Sequence, residues 1–331
     1  MDQLRQQFHR DGYIILQNVL PLDEVQVLQR EADCLVNFLF SEGVDIMRDH
    51  GGIIEPTKCG YIDPPLSQLT FTSHRSFCAL RNMVTEAPDT VIPILFGRLS
   101  VLAANFLPLS DPNYPLRLFN EQYIVKSPKS EEESKFDWHQ DSQYMDSWSQ
   151  NEFPIISCWT ALDDVNQSNG TLLIEPFPRP LDSLTGTPLD LPEGLGRPGA
   201  LLRYQQSMAS AYTPAYTIDM ESSIRNAAKA PTFSVPSSSP STTGPSTLGG
   251  FSNTINLNDP ESWTSESRPP VLVEIPMGST VFLSGFVRHC SLGNKSSRFR
   301  RAYMPQFSAG EVMKSTGQYV SMAVSCNEHA H

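Results

Sequence analysis

Apolar positions are spaced for helices in the first third of the chain and for strands beyond Leu118. Asp2–Arg10 reads as a short helix ended by Gly12, and Tyr13–Leu16 is a compact β-prone run. Val25, Leu28, Ala32, Leu35 and Leu39 then recur at intervals of three and four, which aligns them along one helix face. Asp23 and Glu24 stand in its first turn, where negative charge suits the helix dipole. Gly43–Thr70 is rich in Gly and Pro and reads as irregular. Ser76–Phe106 reads as a second helical region interrupted near Pro88 and Pro93.

Phe119–Val125 alternates loosely. Ile155, Ser157, Trp159 and Ala161 share one face of a strand, because side chains repeat with period two. Thr171–Ile174, Val271–Ile275, Ser279–Leu283 and Arg301–Phe307 are further strand candidates. Many short strands after a helical start predict a mainly β fold with a helical cover, a sandwich or jelly roll. Pro231–Phe251 departs from this pattern, being almost all Ser, Thr, Pro and Gly. It cannot bury enough apolar surface to offset its ordering entropy, so 231–251 is expected to be a disordered or flexible loop. A wider stretch, 178–269, reads as an insertion into a single domain spanning 1–331. Its ordinary reading is a tolerated surface loop; its functional reading is a lid.

Composition narrows the partners. The formal net charge of -12 and pI near 5.0 repel phosphate backbones and give no help on an anionic membrane, so neither nucleic acid nor membrane is expected. The six cysteines form no Cys-x-x-Cys pair. Met1–Leu20 lacks the apolar core of a signal peptide, no run matches a membrane span, and the C-terminus is not a peroxisomal tail. The expectation is a cytoplasmic protein with reduced thiols. Oligomeric state is open, with a homodimer as one option. A nucleotide-binding Gly-rich loop, a P-loop and a serine-hydrolase elbow are missing.

Asp137-Trp138-His139-Gln140-Asp141 carries the chemistry. On a strand, His139 and Asp141 project from the same face. Of the seven histidines, His289 has the context of a third ligand: it follows a strand candidate and the Gly285 turn. Two histidines and a carboxylate leave three metal positions open, as in non-heme iron(II) oxygenases. Alone, His-x-Asp is a weak pattern, and a histidine satisfied by hydrogen bonds is its ordinary alternative. Arg300 strengthens it. It lies eleven residues after His289, beyond the turn Gly293-Asn294-Lys295-Ser296, where it can begin the neighbouring antiparallel strand and return toward the metal. Its planar fork suits the distal carboxylate of an oxo acid. Arg298 and Arg301 compete with it, although Arg301 should point away.

At these residues the chain resembles the phytanoyl-CoA dioxygenase (PhyH) family of iron(II)/2-oxoglutarate-dependent oxygenases. FHRDGYIILQNVL, WHQD, CWTALDDVNQSNGTLLIEP and RHCSLGNKSSRFRRAY carry the likeness. The resemblance implies a double-stranded β-helix, a jelly roll of cupin-like form. It implies that His139, Asp141 and His289 bind Fe(II), with Arg300 on the distal carboxylate of 2-oxoglutarate and Ser291 supporting it. Gln122, Trp159 and Thr171 would line the cosubstrate pocket. O2 would be the oxidant and ascorbate the reductant. The run Glu175-Pro176-Phe177-Pro178 replaces a Pro-Gly-Ser-His turn common in the family, and the insertion lengthens the interval between ligands. These differences, and the RRAYMPQFS ending, look more like fungal members of natural-product pathways than acyl-CoA hydroxylases. The expected substrate is therefore a small, largely apolar secondary metabolite such as a polyketide or terpenoid. An acyl-CoA α-hydroxylase, a non-redox metal enzyme and a metal-free binding module are the alternatives. Phe71, Tyr144 and Trp148 are candidates for an apolar wall.

Overall fold

A computed structural model describes residues 1–61, 74–81, 91–109, 116–144, 153–212, 219–235, 254–310 and 324–326. Phe71, Trp148, Pro88 and most of 231–251 lie outside these residues, as does the side chain of Tyr144.

Helix α1 (Asp2–Asp11) ends on Gly12, whose φ of 78° provides the left-handed closing turn. Strand β1 (Tyr13–Gln17) follows. Helix α2 (Leu22–Ser41) buries all five residues of the predicted stripe. The stretch expected to be irregular holds a short helix, α3 (Ile46–His50), and strand β2 (Ile53–Ile54). Asp45 starts α3 by accepting hydrogen bonds from the Met47 and Arg48 N–H groups, a cap that a count of Gly and Pro overlooks. After α4 (His74–Arg81), Pro93 does not interrupt the helical path. A π-helical turn, Pro93–Leu99, runs directly into α5 (Ser100–Ala104). The proline sits in the first turn, where its missing N–H costs no helical bond.

The remaining strands are β3 (Arg117–Lys126), β4 (Phe136–His139), β5 (Ile155–Ala161), β6 (Leu172–Glu175), β7 (Arg179–Asp182), β8 (Ala228–Lys229), β9 (Phe233–Ser234), β10 (Trp263–Glu266), β11 (Val271–Leu272), β12 (Thr280–Ser284), β13 (Arg288–Ser291), β14 (Arg300–Ser308) and β15 (Val324–Ser325). The larger sheet runs β15-β3-β14-β5-β12-β1-β9, with β2 also on β3; the smaller runs β4-β13-β6-β11-β8. Along the chain β3, β5, β12 and β14 fall in the larger sheet, and β4, β6, β11 and β13 in the smaller. Apart from β6 and β11, which pair with each other in the smaller sheet, successive core strands alternate between sheets, which is the jelly roll, a double-stranded β-helix with helical cover.

Both faces of the larger sheet are covered, so β5 is buried throughout rather than at every second residue. Trp159 and Ala161 join Ile15, Ile124, Ile174 and Val281 between the sheets. Ile156 and Cys158 face the other way, with Leu28, Leu35 and Phe282 in the cluster that includes the helices. Beneath the helices, buried Arg81 pairs with Glu121 at 2.8 Å and with Glu31, while Tyr123 and Tyr303 donate to the same two carboxylates.

Between β6 and β11 the chain forms α6 (Pro198–Ser210), α7 (Met220–Asn226) and strands β7 to β10. Leu201, Tyr204 and Met208 of α6 pack with Phe177 and Val287. Met220 and Ile224 of α7 pack on Leu173, Cys290 and Leu292. β8 adds to β11 at the edge of the smaller sheet and β9 adds to β1 at the edge of the larger. All six cysteines are free. No helix among the described residues is long and apolar enough to cross a membrane.

Candidate metal centre and cosubstrate pocket

β4 and β13 are antiparallel neighbours, and their register sets His139 opposite His289. The ring centroids are 4.3 Å apart. Contrary to the sequence expectation, the strand ends at His139, and Asp141 opens a 3-10 turn, Asp141–Tyr144. Two hydrogen bonds fold this turn inward. Gln140 Nε2 donates to the Phe286 carbonyl at 2.7 Å, and the Ser142 N–H donates to the Gly285 carbonyl at 2.9 Å. Asp141 Oδ1 therefore lies 3.9 Å from His139 Nε2 and 3.7 Å from His289 Nε2. One ligand atom from each residue lies within 4.8 Å of the others.

The tautomers suit a metal. His139 Nδ1 is 2.7 Å from the Asp137 carbonyl, and His289 Nδ1 is 3.1 Å from the Val287 carbonyl. A carbonyl only accepts, so each Nδ1 carries the proton and each Nε2, the side that faces Asp141 Oδ1, is the lone-pair nitrogen a cation needs. Burial, and after it the neighbouring His139, holds the pKa of His289 well below the ordinary imidazole range. The ring is neutral at neutral pH, the form that ligation requires. Two imidazoles and one carboxylate on one side fit an iron(II) with open positions.

Arg300 begins β14 and is 1% exposed. β14 is not the neighbour of β13; residues 293–299 carry the chain across to the larger sheet, because consecutive core strands alternate between sheets. The arginine still returns to the interior. Its Nη2 donates to the Gly170 carbonyl at 2.7 Å, its Cζ lies 5.4 Å from the Trp159 ring, and its Nε and Nη1 are buried without a partner among the described residues. Burial pushes its pKa down to about 9, so it remains a cation at neutral pH. A buried cation with two unspent donors fits a carboxylate.

Ser291 lies on β13, and its Oγ accepts from Lys126 Nζ at 2.8 Å. Lys126 is the cross-strand partner of Arg300. It also donates to the Leu292 carbonyl at 2.6 Å and to the Ser134 carbonyl. Burial, then Arg300, lowers its pKa, and the three acceptors around Nζ match the three hydrogens of the ammonium form. Gln122 is buried opposite Met304, which lines the space between the sheets. The Thr171 hydroxyl is committed to the Val273 carbonyl. Arg298 is exposed. Arg301 points outward, as expected, but is held rather than solvated: it pairs with Asp163 at 2.7 Å and Asp33 at 2.8 Å.

Sequence reasoning missed Lys126, Ser157, Gln306 and Asn120. The Ser157 hydroxyl donates to Asp141 Oδ2, and Gln306 Nε2 donates to Ser157 Oγ at 2.8 Å. Period-two counting could have found all four: Asn120 is two residues and Lys126 four from Gln122, Ser157 is two from Trp159, and Gln306 six from Arg300.

A jelly roll whose strands bear two histidines and a buried arginine, with a carboxylate on the turn after the first histidine, defines the class of non-heme iron, 2-oxoglutarate-dependent oxygenases. Within that class the chain belongs to the phytanoyl-CoA dioxygenase family, since the family model "Phytanoyl-CoA dioxygenase (PhyH)" matches residues 8–176, just over half of its length. The match takes in His139 and Asp141, whereas His289 and Arg300 lie beyond it. No curated protein matches the sequence. Among solved structures, the non-heme alpha ketoglutarate dependent carbocyclase SnoK from nogalamycin biosynthesis aligns over 96% of this chain and 87% of its own, at 14% identity and a TM-score of 0.51. EvdO2 from Micromonospora carbonacea var. aurantiaca, complexed with 2-oxoglutarate, covers 93% and 90%, at 17% identity and a TM-score of 0.41. EctD from S. alaskensis covers 96% and 79%, at 16% identity and a TM-score of 0.45. At 14% identity the likeness to SnoK concerns the fold.

Proposed function

We propose that His139, Asp141 and His289 hold iron(II), that Arg300 receives 2-oxoglutarate, and that the protein oxidises a small, largely apolar secondary metabolite such as a polyketide or terpenoid. The observation that carries this reading is the buried Arg300 guanidinium, with two unpaired nitrogens in the same interior as the His-Asp-His group. When bound, iron(II) with 2-oxoglutarate and oxygen supplies the oxidation, giving succinate, carbon dioxide and an oxidised substrate; ascorbate keeps the iron reduced.

The chain's own residues bind and orient. The Asp137 and Val287 carbonyls fix the two imidazole tautomers. Lys126 holds Ser291 Oγ by donating to it, which leaves the serine hydroxyl hydrogen to meet a carboxylate. Trp159 flanks the guanidinium on an apolar ring face, and Gln122 and Thr171 would line the rest of the cosubstrate pocket. The metabolite class is supported by the Glu175-Pro176-Phe177-Pro178 departure after β6 and by the insertion between β6 and β11. SnoK, whose fold this chain shares, is named as a carbocyclase of nogalamycin biosynthesis.

The test is succinate formation from 2-oxoglutarate by purified protein with iron(II), ascorbate and a panel of polyketide, terpenoid and acyl-CoA substrates. Turnover is expected with a metabolite of the first two kinds and loss below detection in His139→Ala and Asp141→Ala. Turnover retained in both variants contradicts the ligand assignment; turnover with acyl-CoA alone contradicts the substrate class.

A further inference from the structure

The Asp141 carboxylate is asymmetric. Its Oδ1 faces both histidine Nε2 atoms, and its Oδ2 accepts from the buried Ser157 hydroxyl. Ser157 Oγ accepts in turn from Gln306 Nε2 at 2.8 Å, and Gln306 Oε1 accepts from Asn120 Nδ2 at 2.8 Å. Asn120 Oδ1 accepts from the backbone N–H of Glu121 at 3.0 Å. These side chains come from β3, β14 and β5, so the chain of bonds crosses the larger sheet on its inner side.

The direction of every bond follows from one fixed donor. A backbone N–H can only donate, so the atom of Asn120 that meets Glu121 is the oxygen. The Asn120 amide then offers its NH₂ to Gln306, whose own NH₂ must face Ser157. With a lone pair of Ser157 occupied by that donor, its single hydrogen goes to Asp141. Glu121 is placed to begin this sequence, because it lies between the part of β3 paired with β15 and the part paired with β2.

We infer that Asn120, Gln306 and Ser157 form a one-way relay that keeps Asp141 a single-oxygen ligand. The inference rests on the iron reading above. A carboxylate whose second oxygen is held by a donor presents only one oxygen to a cation, and the coordination positions that an oxo acid needs stay open. Ser157 is a positioning residue, and Gln306 and Asn120 act through it. Without the hydroxyl, Oδ2 is free to swing toward the cation, which weakens placement of the carboxylate and closes a position to 2-oxoglutarate.

The experiment is an anaerobic titration of the full-length protein with Co(II), followed by its visible ligand-field bands, and then with 2-oxoglutarate. Ser157→Ala is expected to lower Co(II) affinity about tenfold, to change the band intensity that reports coordination number, and to weaken 2-oxoglutarate binding. Gln306→Met is expected to do the same to a smaller degree. The double variant is expected to equal Ser157→Ala alone, because Gln306 reaches the metal only through the serine. If Ser157→Ala does not fold, Gln306→Met and the half-buried Asn120→Ala carry the test: both should weaken Co(II) binding and shift the bands, and wild-type behaviour in both overturns the relay. Wild-type spectra in Ser157→Ala overturn it, as does a double variant whose loss is the product of the two single losses. A wild-type protein that binds no Co(II) overturns the iron reading itself, and the relay with it.

Discussion

Arg300 Nε and Nη1 are buried with no acceptor among the described residues. An unpaired buried donor costs roughly 1–3 kcal/mol and more on a charged group, so an anion that enters and pairs them recovers that cost. Arg300→Met is therefore expected to raise the KM for 2-oxoglutarate by about ten- to a hundredfold, the effect of losing a charge-assisted pair, with kcat at saturation nearly unchanged. Steady-state kinetics check this, and an unchanged KM contradicts it. The arginine was legible because its spacing from His289 is short and local. For Lys126 only the strand face was legible, four residues on from Gln122; that β3 and β14 pair in a register that sets it opposite Arg300 was not. Arg301 shows the converse. Surface charge was its ordinary reading, and only tertiary structure brings Asp33 of α2 and Asp163 to it.

The turn before β6 places the cosubstrate pocket as much as any side chain. Gly170 has a φ of 90°, and a Cβ added there would lie 2.7 Å from the Leu292 carbonyl oxygen and 2.8 Å from Lys126 Cδ. Its own carbonyl holds Arg300. Gly170→Ala is expected to destabilise the fold by about 1–3 kcal/mol, the cost of a strained backbone, and to weaken 2-oxoglutarate binding because relief of the clash shifts the carbonyl that anchors the arginine. Thermal unfolding with and without 2-oxoglutarate checks both; an unchanged melting temperature contradicts the strain. Strands with apolar alternation were legible nearly to their ends, as in Arg301–Phe307 against the observed Arg300–Ser308. β13 was not, because Arg288-His289-Cys290-Ser291 has no apolar pattern and is buried for its chemistry. The helix α3 and the continuous path through Pro93 depend on a cap and on position within a turn, which composition does not reveal.

For the whole molecule, the jelly roll followed from many short strands after a helical start. The pairing order did not, because it is set by contacts distant in sequence, and β14 lies in the sheet opposite β13 rather than beside it. The stretch from Ala228 to Ser234 places two-residue strands on one edge of each sheet, shielding backbone groups that would otherwise be open to pairing. Two residues are too few to show an alternating pattern, so such strands leave no trace in the sequence. What unites these levels is that both sheets converge on one site: β4 and β13 of the smaller bring the histidines, and β14 of the larger brings the arginine.

The most direct measurement of that claim is an anaerobic titration of the protein with iron(II) and 2-oxoglutarate, following the visible charge-transfer band that arises when the oxo acid chelates ferrous iron through two positions. The band is expected with the wild type, to be absent with His139→Ala and Asp141→Ala, and to need far more 2-oxoglutarate with Arg300→Met. A band of wild-type intensity in both ligand variants would contradict the account.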